Sequence, residues 1–227
     1  MNIDTHEYEQ KRHVLDLCRW INDKMAEMYS LPDFDTIYLE RAKQNQNVKK
    51  LIEEAIPIAC LGLKFFNPWN EVYIRCLTGN QRYDAELEIK GFSTLELKIE
   101  ATTIETNEST MRRQGLSRKG FVYFTGHIRR DGRDILSEPK MIDLNKENER
   151  WLNLAFERYM KKVEKGYDVD TGILISLDTY RPLPLEYRAK LAKMTQQHIL
   201  REKPNIYGAY YCYLRDYVVD GVYNRWR

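Results

Sequence analysis

Apolar residues recur at helical spacing in some parts of the chain and at alternate positions in others. The helical spacing predicts helices over residues 7–29, 48–60, 145–165 and 185–203. Alternating or continuous apolar runs predict strands at about 71–78, 82–90, 94–104, 121–128, 172–177 and 207–213. Residues 30–47 and 105–119 are polar, and we expect them to connect these elements.

The order of the predicted elements indicates an α/β fold in which helices flank a mixed β-sheet. The run from Gly172 to Leu177 is almost wholly apolar, which is typical of a central strand that is covered on both faces. A chain of 227 residues can bury a core of its own, and we expect residues 1–227 to form a single domain.

Two neighbouring strand segments alternate strictly between apolar and charged residues. Because successive side chains of a strand point to opposite faces, one face of this hairpin collects six charged residues: Asp84, Glu86, Glu88, Glu96, Lys98 and Glu100. Like charges that oppose each other destabilise a hairpin unless something compensates for them. The five carboxylates and the lysine therefore indicate a divalent metal site suited to the hydrolysis of a phosphodiester.

Two registers of this hairpin are open from the sequence. A three-residue loop places Asp84 opposite Lys98, whereas a five-residue loop places Asp84 opposite Glu100 and Glu86 opposite Lys98. In both registers we expect Asp84, Glu96 and Lys98 to be near neighbours. The alternative interpretation is a solvent-facing hairpin whose charges form cross-strand ion pairs, each of which contributes little to stability.

Asp84 and the acid-x-Lys motif Glu96-Leu97-Lys98 resemble the active site of the PD-(D/E)xK nuclease superfamily, which has the restriction-endonuclease-like fold. In that superfamily a helix precedes a three-stranded meander that carries these residues. The resemblance covers about residues 48–178, with an N-terminal helix before them and a helix–strand extension after them. It implies that Asp84 and Glu96 hold Mg²⁺ or Mn²⁺, with the Leu97 carbonyl and a helix glutamate, Glu54 or Glu53, as further ligands. It also implies that Lys98 positions the attacking water or helps to deprotonate it.

The acid-x-Lys pattern is common, and the chain contains three further copies of it: Glu9-Gln10-Lys11, Glu88-Ile89-Lys90 and Glu138-Pro139-Lys140. The copy that ends at Lys90 also lies on a predicted strand and competes with the copy that ends at Lys98. We favour the latter because an aspartate precedes it on a strand and apolar residues flank it on both sides. Tyr83 departs from the superfamily, which has a proline before the aspartate.

A basic segment follows the hairpin and is a candidate surface for nucleic acid. Contacts from lysine and arginine to phosphates give affinity that is independent of sequence and weakens with salt. The residues predicted to make such contacts are Arg112, Arg113, Arg118, Lys119, Arg129 and Arg130. A solvated surface loop is an equally open interpretation. The tyrosine-rich stretch from Tyr207 to Tyr223 could stack bases, but packing on the core is favoured.

The amino-acid composition indicates a cellular compartment but does not indicate a function. The net charge of +2 favours neither the presence nor the absence of a polyanionic partner. The four cysteines show no CxxC spacing, which disfavours a zinc site and a disulfide framework and favours a reducing compartment. No secretory signal and no apolar run of about 18 residues is present, so we expect a cytoplasmic protein without a membrane partner.

The sequence therefore predicts an Mg²⁺- or Mn²⁺-dependent endonuclease that hydrolyses phosphodiester bonds, with DNA favoured over RNA. It leaves open whether the protein acts alone, as a homodimer or as a subunit of a larger complex. The alternative is a non-catalytic module that binds nucleic acid or protein on a degenerate nuclease-like fold.

Overall fold

The computed structural model describes residues 3–30, 46–79, 81–104, 106–119, 126–132, 134–139, 141–178 and 182–224. Within these ranges seven strands form one mixed sheet flanked by helices, which confirms the predicted fold class. The strands are β1 (Arg12–His13), β2 (Glu71–Cys76), β3 (Ala85–Lys90), β4 (Thr94–Ile104), β7 (Thr171–Leu177), β8 (Gly208–Tyr213) and β9 (Val218–Tyr223). Their spatial order is β1-β2-β3-β4-β7-β8-β9. A separate hairpin consists of β5 (Gly126–Asp131) and β6 (Asp134–Pro139).

The helices of the described residues are α1 (Thr5–Tyr8), α2 (Val14–Tyr29), α3 (Gln46–Lys50), α4 (Ile56–Phe65), α5 (Asn107–Lys119), α6 (Leu144–Val163) and α7 (Leu185–Glu202). A π-helical turn, Leu51–Ala55, joins α3 to α4. The predicted helix over residues 7–29 begins only at Val14, because Arg12 and His13 pair with β2 as a short edge strand. None of the described helices is long and apolar enough to cross a membrane.

The structure corrects two predictions made from the pattern and adds one strand that the pattern did not predict. Residues 105–119 were expected to be a connection, but α5 occupies most of them; its polar residues lie all around the helix and give no apolar period. The strand expected at 121–128 is described from Gly126 onward and pairs with β6 instead of joining the main sheet, while 121–125 lie outside the described residues. The strand β9 was missed altogether.

The strand directions follow from the connections between the strands. Short turns join β2, β3 and β4 into an antiparallel meander. The long excursion through α5, the separate hairpin and α6 brings β7 back parallel to β4, and α7 brings β8 back parallel to β7. All seven residues of β7 are buried, as expected of a parallel strand with helices on both faces.

The sheet separates two apolar cores. One core lies under α2 and α4 and includes Ile74, Leu87 and Ile99 of the meander. The other lies under α6 and α7 and includes Leu152 and Ile175. The charged residues of β3 and the first half of β4 share a sheet face with this second core but lie beyond its helices, so Glu86 and Lys98 remain partly exposed.

The tyrosines of β8 pack into these cores, as the sequence favoured. Tyr210 and Tyr211 are both fully buried and point to opposite faces of the sheet. A Cβ atom at Gly172 would lie 2.9 Å from Cε2 of Tyr210, so the absence of a side chain at this position leaves room for the tyrosine ring. These side chains are therefore part of the core and do not form a platform for bases.

Candidate active site

The register of the β3–β4 hairpin decides which carboxylates meet. Glu86 pairs with Lys98 and Glu88 pairs with Glu96, which is the second of the two predicted registers. Just before β3, the Asp84 N–H donates to the Ile99 carbonyl (2.7 Å), so this register places Asp84 opposite Glu100. Glu96 lies four residues before Glu100, or about 13 Å along the strand. The structure therefore does not bring Asp84 and Glu96 together around one ion.

Three carboxylates from separate elements meet instead near the start of β3. They are Glu54, Asp84 and Glu100, which we call the acid cluster. Glu54 was predicted as a helper, whereas Glu100 was not among the predicted ligands. The cluster lies where the π-helical turn, the hairpin and the end of α6 approach one another.

The π-helical turn positions Glu54. A π turn leaves the regular α-helical hydrogen-bond pattern, and such turns frequently occur at functional sites. Here the Glu53 carbonyl accepts a hydrogen bond from the Thr103 hydroxyl of β4 (2.9 Å), which fixes the turn against the sheet. Nζ of Lys50 lies 4.0 Å from Oε2 of Glu54. That oxygen is buried and has no hydrogen-bond partner among the described residues.

Asp84 and Glu100 are held by different partners. Oδ2 of Asp84 accepts a hydrogen bond from the Ala101 N–H (2.8 Å), which ties this carboxylate to β4. Glu100 is only 8 % exposed and forms an ion pair with Lys162 of α6. Nζ of Lys165 lies 3.9 Å from Oε1 of Glu100. Two lysine ammonium groups thus lie beside the carboxylates of the acid cluster.

The electrostatics of the cluster raise the pKa of two of its members. Burial, followed by the negative charge of Asp84, raises the pKa of Glu54 to about 7. Burial, followed by the negative charge of Glu100, raises the pKa of Asp84. The surrounding lysines do not cancel these effects, so the cluster would gain free energy from a further cation.

A divalent cation fits the chemistry of the acid cluster, although the side chains are not arranged around one. In the part of the chain that the structure describes, no group of three or more His, Cys, Asp or Glu side chains has the spacing to hold a metal ion. The donors are nevertheless carboxylate oxygens, which Mg²⁺ and Mn²⁺ prefer. The buried Glu54 oxygen that accepts no hydrogen bond from the described residues is the kind of group that a bound ion would satisfy.

Lys98 is a neighbour of the acid cluster but has partners of its own. Its Nζ lies 3.1 Å from Oδ2 of Asp170 and 3.7 Å from Oδ2 of Asp168, just before β7. The hydrogen bond with Asp170 raises the pKa of Lys98, so the ammonium form is stabilised. This favours Lys98 as a source of positive charge and disfavours it as a base that deprotonates water.

Two of the remaining carboxylates of the hairpin face, Glu86 and Glu88, are compensated by neighbouring bases. Oε2 of Glu88 lies 2.7 Å from Nζ of Lys11 and 3.3 Å from Nζ of Lys90. Oε2 of Glu86 lies 3.9 Å from Nη1 of Arg75. For this half of the face, the solvent-facing interpretation describes the structure well. A shallow cleft of about 200 Å³ lies here, and its lining includes Lys11, Arg75, Glu86, Glu96, Leu97 and Lys98.

The predicted basic segment folds into α5 and the separate hairpin. Arg112 lies on α5, and Arg129 and Arg130 are exposed on β5. Arg113, Arg118 and Lys119 also belong to α5, but their side chains lie outside the described part. Nη1 of Arg150 on α6 lies 2.9 Å from Oε2 of Glu108 on α5. Since Lys162 lies twelve residues further along α6, about 18 Å of helix separates this contact from the acid cluster.

Sequence reasoning missed Glu100 and Lys162 for different reasons. Glu100 was visible in the second register, where it opposes Asp84, but it belongs to no acid-x-Lys motif. Lys162 comes from a helix far along the chain, and no spacing in the sequence links it to the hairpin. No protein-family model, no curated protein and no solved structure matches this chain.

Replacing Glu54 by glutamine is expected to stabilise the metal-free protein at pH 8 but not at pH 4.5. The pKa rises from 4.5 to about 7 on folding, so the folded state holds this proton more tightly than the unfolded state. Stability contributed by Glu54 is therefore fully present below pH 4.5 and is lost as the pH rises through 7. The free energy of unfolding of the wild type falls by up to about 3 kcal/mol over this pH range. Urea unfolding in EDTA at both pH values measures it.

Glu96→Gln is the matched control for this experiment, because Glu96 is exposed and lies outside the acid cluster. The free energy of unfolding of Glu96→Gln should follow that of the wild type at every pH. A constant difference between Glu54→Gln and the wild type across the range would contradict the interpretation.

Proposed function

We propose that this protein is a metal-dependent nuclease and that the acid cluster is its catalytic centre. The observation that carries the proposal is the convergence of Glu54, Asp84 and Glu100 from three elements, with a buried Glu54 oxygen that lacks a hydrogen bond and with raised pKa values for Glu54 and Asp84. Carboxylates whose pKa values are raised by burial and by a neighbouring charge cluster at functional sites.

The fold adds support through the order of its elements. A helix precedes a three-stranded antiparallel meander, and a further helix leads to the parallel strand β7 beside it. This is the arrangement that the resemblance to the PD-(D/E)xK superfamily implied. Fold alone does not determine function, so the weight of the proposal rests on the acid cluster.

Glu54, Asp84 and Glu100 would hold Mg²⁺ or Mn²⁺. When bound, the ion lowers the pKa of water and offsets negative charge on the phosphate. Lys162 holds Glu100 in place and supplies positive charge at the border of the cluster. Lys98 offers a further ammonium group two residues before Glu100 on the same face of β4. Charge that builds up on phosphate oxygens is stabilised by such fixed cations.

DNA is the favoured substrate, and we propose the exposed Arg129 and Arg130 as phosphate contacts. Contacts between guanidinium groups and phosphates do not depend on the base sequence, so they suit a nuclease without strong sequence preference. The Glu108–Arg150 contact holds the basic segment against α6, about 18 Å along that helix from Lys162. This distance corresponds to about five base pairs of duplex DNA at about 3.4 Å each.

The second candidate is a non-catalytic binding module, and two observations favour it. Lys162 already neutralises Glu100, and the described carboxylates are not arranged around a metal ion. In that case the same surface would hold nucleic acid or a protein partner without turnover.

Incubation of the pure protein with labelled DNA and RNA hairpins in Mg²⁺, Mn²⁺ or EDTA separates the two candidates. A nuclease is expected to shorten the DNA in either metal, to act more slowly on the RNA and to leave both intact in EDTA. A binding module is expected to retain the strands in all three solutions and to release them at full length. Intact DNA after prolonged incubation in both metals would contradict the nuclease proposal.

A further inference from the structure

A proline inside a continuous helical stretch leaves one backbone carbonyl without its usual partner. The chain stays helical from α3 through the π-helical turn into α4, and Pro57 is the second residue of α4. In a regular α-helix the N–H of residue 57 would donate to the Glu53 carbonyl, four residues earlier. Proline has no N–H, and its ring also crowds that carbonyl. The Glu53 carbonyl therefore needs a donor from another part of the molecule.

Thr103 supplies this donor from β4. Its hydroxyl donates a hydrogen bond to the Glu53 carbonyl (2.9 Å). That carbonyl belongs to the peptide group that joins Glu53 to Glu54. In the same turn the Ile56 N–H donates to the Leu51 carbonyl, five residues earlier, which is the π-helical pattern. The Thr103 hydroxyl thus holds the peptide group directly before the Glu54 side chain.

The strand β4 connects all three members of the acid cluster. Glu100 belongs to β4, and the N–H of the next residue, Ala101, donates to Oδ2 of Asp84 (2.8 Å). Thr103 lies two residues beyond Ala101 on the same face of the strand, about 7 Å further along. The strand β7 pairs with this whole stretch of β4 and fixes it in the sheet. The positions of the three carboxylates relative to one another therefore depend on contacts made by β4.

We propose that Thr103 is a positioning residue of the ion site: its hydroxyl holds the π-helical turn in the form that directs the Glu54 carboxylate into the acid cluster. Pro57 makes the contact possible, because it frees the Glu53 carbonyl. The proposal rests on the part of the proposed nuclease function that assigns a divalent cation to the acid cluster. Thr103 touches neither the ion nor the phosphate. Residues that orient metal ligands in this way change metal affinity by about 10- to 100-fold.

Binding of Mn²⁺ in the absence of nucleic acid tests this role. Thr103→Val keeps the shape of the side chain and removes the hydroxyl, whereas Thr103→Ser keeps the hydroxyl. Isothermal titration calorimetry measures the Kd of Mn²⁺ for each variant. Thr103→Val is expected to raise this Kd by about 10- to 100-fold, and Thr103→Ser should stay within about threefold of the wild type. Recovery by serine separates the hydrogen bond from the packing of the side chain.

Thr195→Val is the matched control, because Thr195 of α7 also donates its hydroxyl to a backbone carbonyl, that of Leu191 (3.0 Å). Both valine variants lose one such hydrogen bond, so both should melt at lower temperature in EDTA. The Kd of Mn²⁺ for Thr195→Val should nevertheless stay within about twofold of the wild type, since this hydroxyl holds no part of the acid cluster.

Pro57→Ala reaches the same contact from the helix and leaves β4 unchanged, so it also serves if Thr103→Val fails to fold. The new N–H at residue 57 competes with Thr103 for the Glu53 carbonyl and draws the turn toward a regular α-helix. The Kd of Mn²⁺ for this variant is therefore expected to rise as well.

The outcomes separate this inference from the proposed function. Wild-type affinity for Mn²⁺ in Thr103→Val, or an equal loss of affinity in Thr103→Ser or Thr195→Val, would overturn the role of Thr103. Unchanged affinity in Pro57→Ala would overturn the part assigned to Pro57. A wild-type protein that binds Mn²⁺ but cleaves no DNA would overturn the nuclease proposal and leave Thr103 as a positioning residue of an ion site. A wild-type protein that binds no Mn²⁺ would overturn both.

Discussion

Replacing Asp84 by asparagine is expected to abolish metal-dependent cleavage, with a loss of at least about 10³-fold in kcat. The amide oxygen of asparagine can still accept the hydrogen bond from the Ala101 N–H, so the local structure should survive. The negative charge that a metal ion needs is lost. Cleavage of the labelled DNA hairpin in Mn²⁺ measures the effect on turnover.

Thermal melting of the same variant tests the ion site directly. A ligand that binds only the folded state stabilises it, so Mn²⁺ at millimolar concentration should raise the melting temperature of the wild type and leave that of Asp84→Asn unchanged. Glu100→Gln is expected to behave like Asp84→Asn, while Glu96→Gln should keep both the activity and the metal response. An inactive Glu96→Gln beside an active Glu100→Gln would contradict the assignment of the acid cluster.

Replacing Lys162 by methionine is expected to lower the free energy of unfolding by about 3 kcal/mol at pH 7. Lys162 and Glu100 are both largely buried, and removal of one partner leaves the other charge uncompensated in a poorly solvated position. Lys98→Met should cost less than about 1 kcal/mol, because Asp168 and Asp170, its ion-pair partners, are both more than one-third exposed. Urea unfolding of the two variants measures both effects.

A double variant separates the structural part of Lys162 from its part in cleavage. Combining Lys162→Met with Glu100→Gln removes the buried charge pair as a whole, so most of the lost stability should return. Cleavage should not return, because the acid cluster has lost a carboxylate. Additive losses of stability in the double variant would show that the two side chains do not depend on each other.

The sequence was sufficient to place the hairpin and its charged face. Strict alternation in β3 and β4 predicts which side chains point away from the core, and the structure confirms that Leu87, Leu97 and Ile99 are buried. Alternation does not determine the register between two strands, because sliding one strand by two residues leaves every side chain on the same face. Asp84 could therefore lie opposite Lys98 or Glu100, and the structure was needed to show that it is Glu100.

The net charge on the polar face of β3 and β4 also could not be predicted from the hairpin sequence alone. Lys11, just before β1, and Arg75 of β2 reach the carboxylates from outside the hairpin, and Lys90 at the end of β3 adds a third base. When the hairpin is considered alone, its five acids outnumber its bases, and this excess led to the prediction of a metal site. The unbalanced charge lies at Glu54 and Asp84, where burial limits the access of water and of compensating side chains.

The connection between β4 and β7 has a consequence for the time at which the site forms during synthesis. Lys98 pairs with Thr171, so strands that are neighbours in the sheet are separated by more than seventy residues of chain. Closing such a long loop before its contacts form is slow, and parallel pairing of distant strands delays folding. A ribosome-bound chain that ends before Lys162 lacks a border residue of the acid cluster. We therefore expect the nascent protein to remain without a complete site until its second half has emerged.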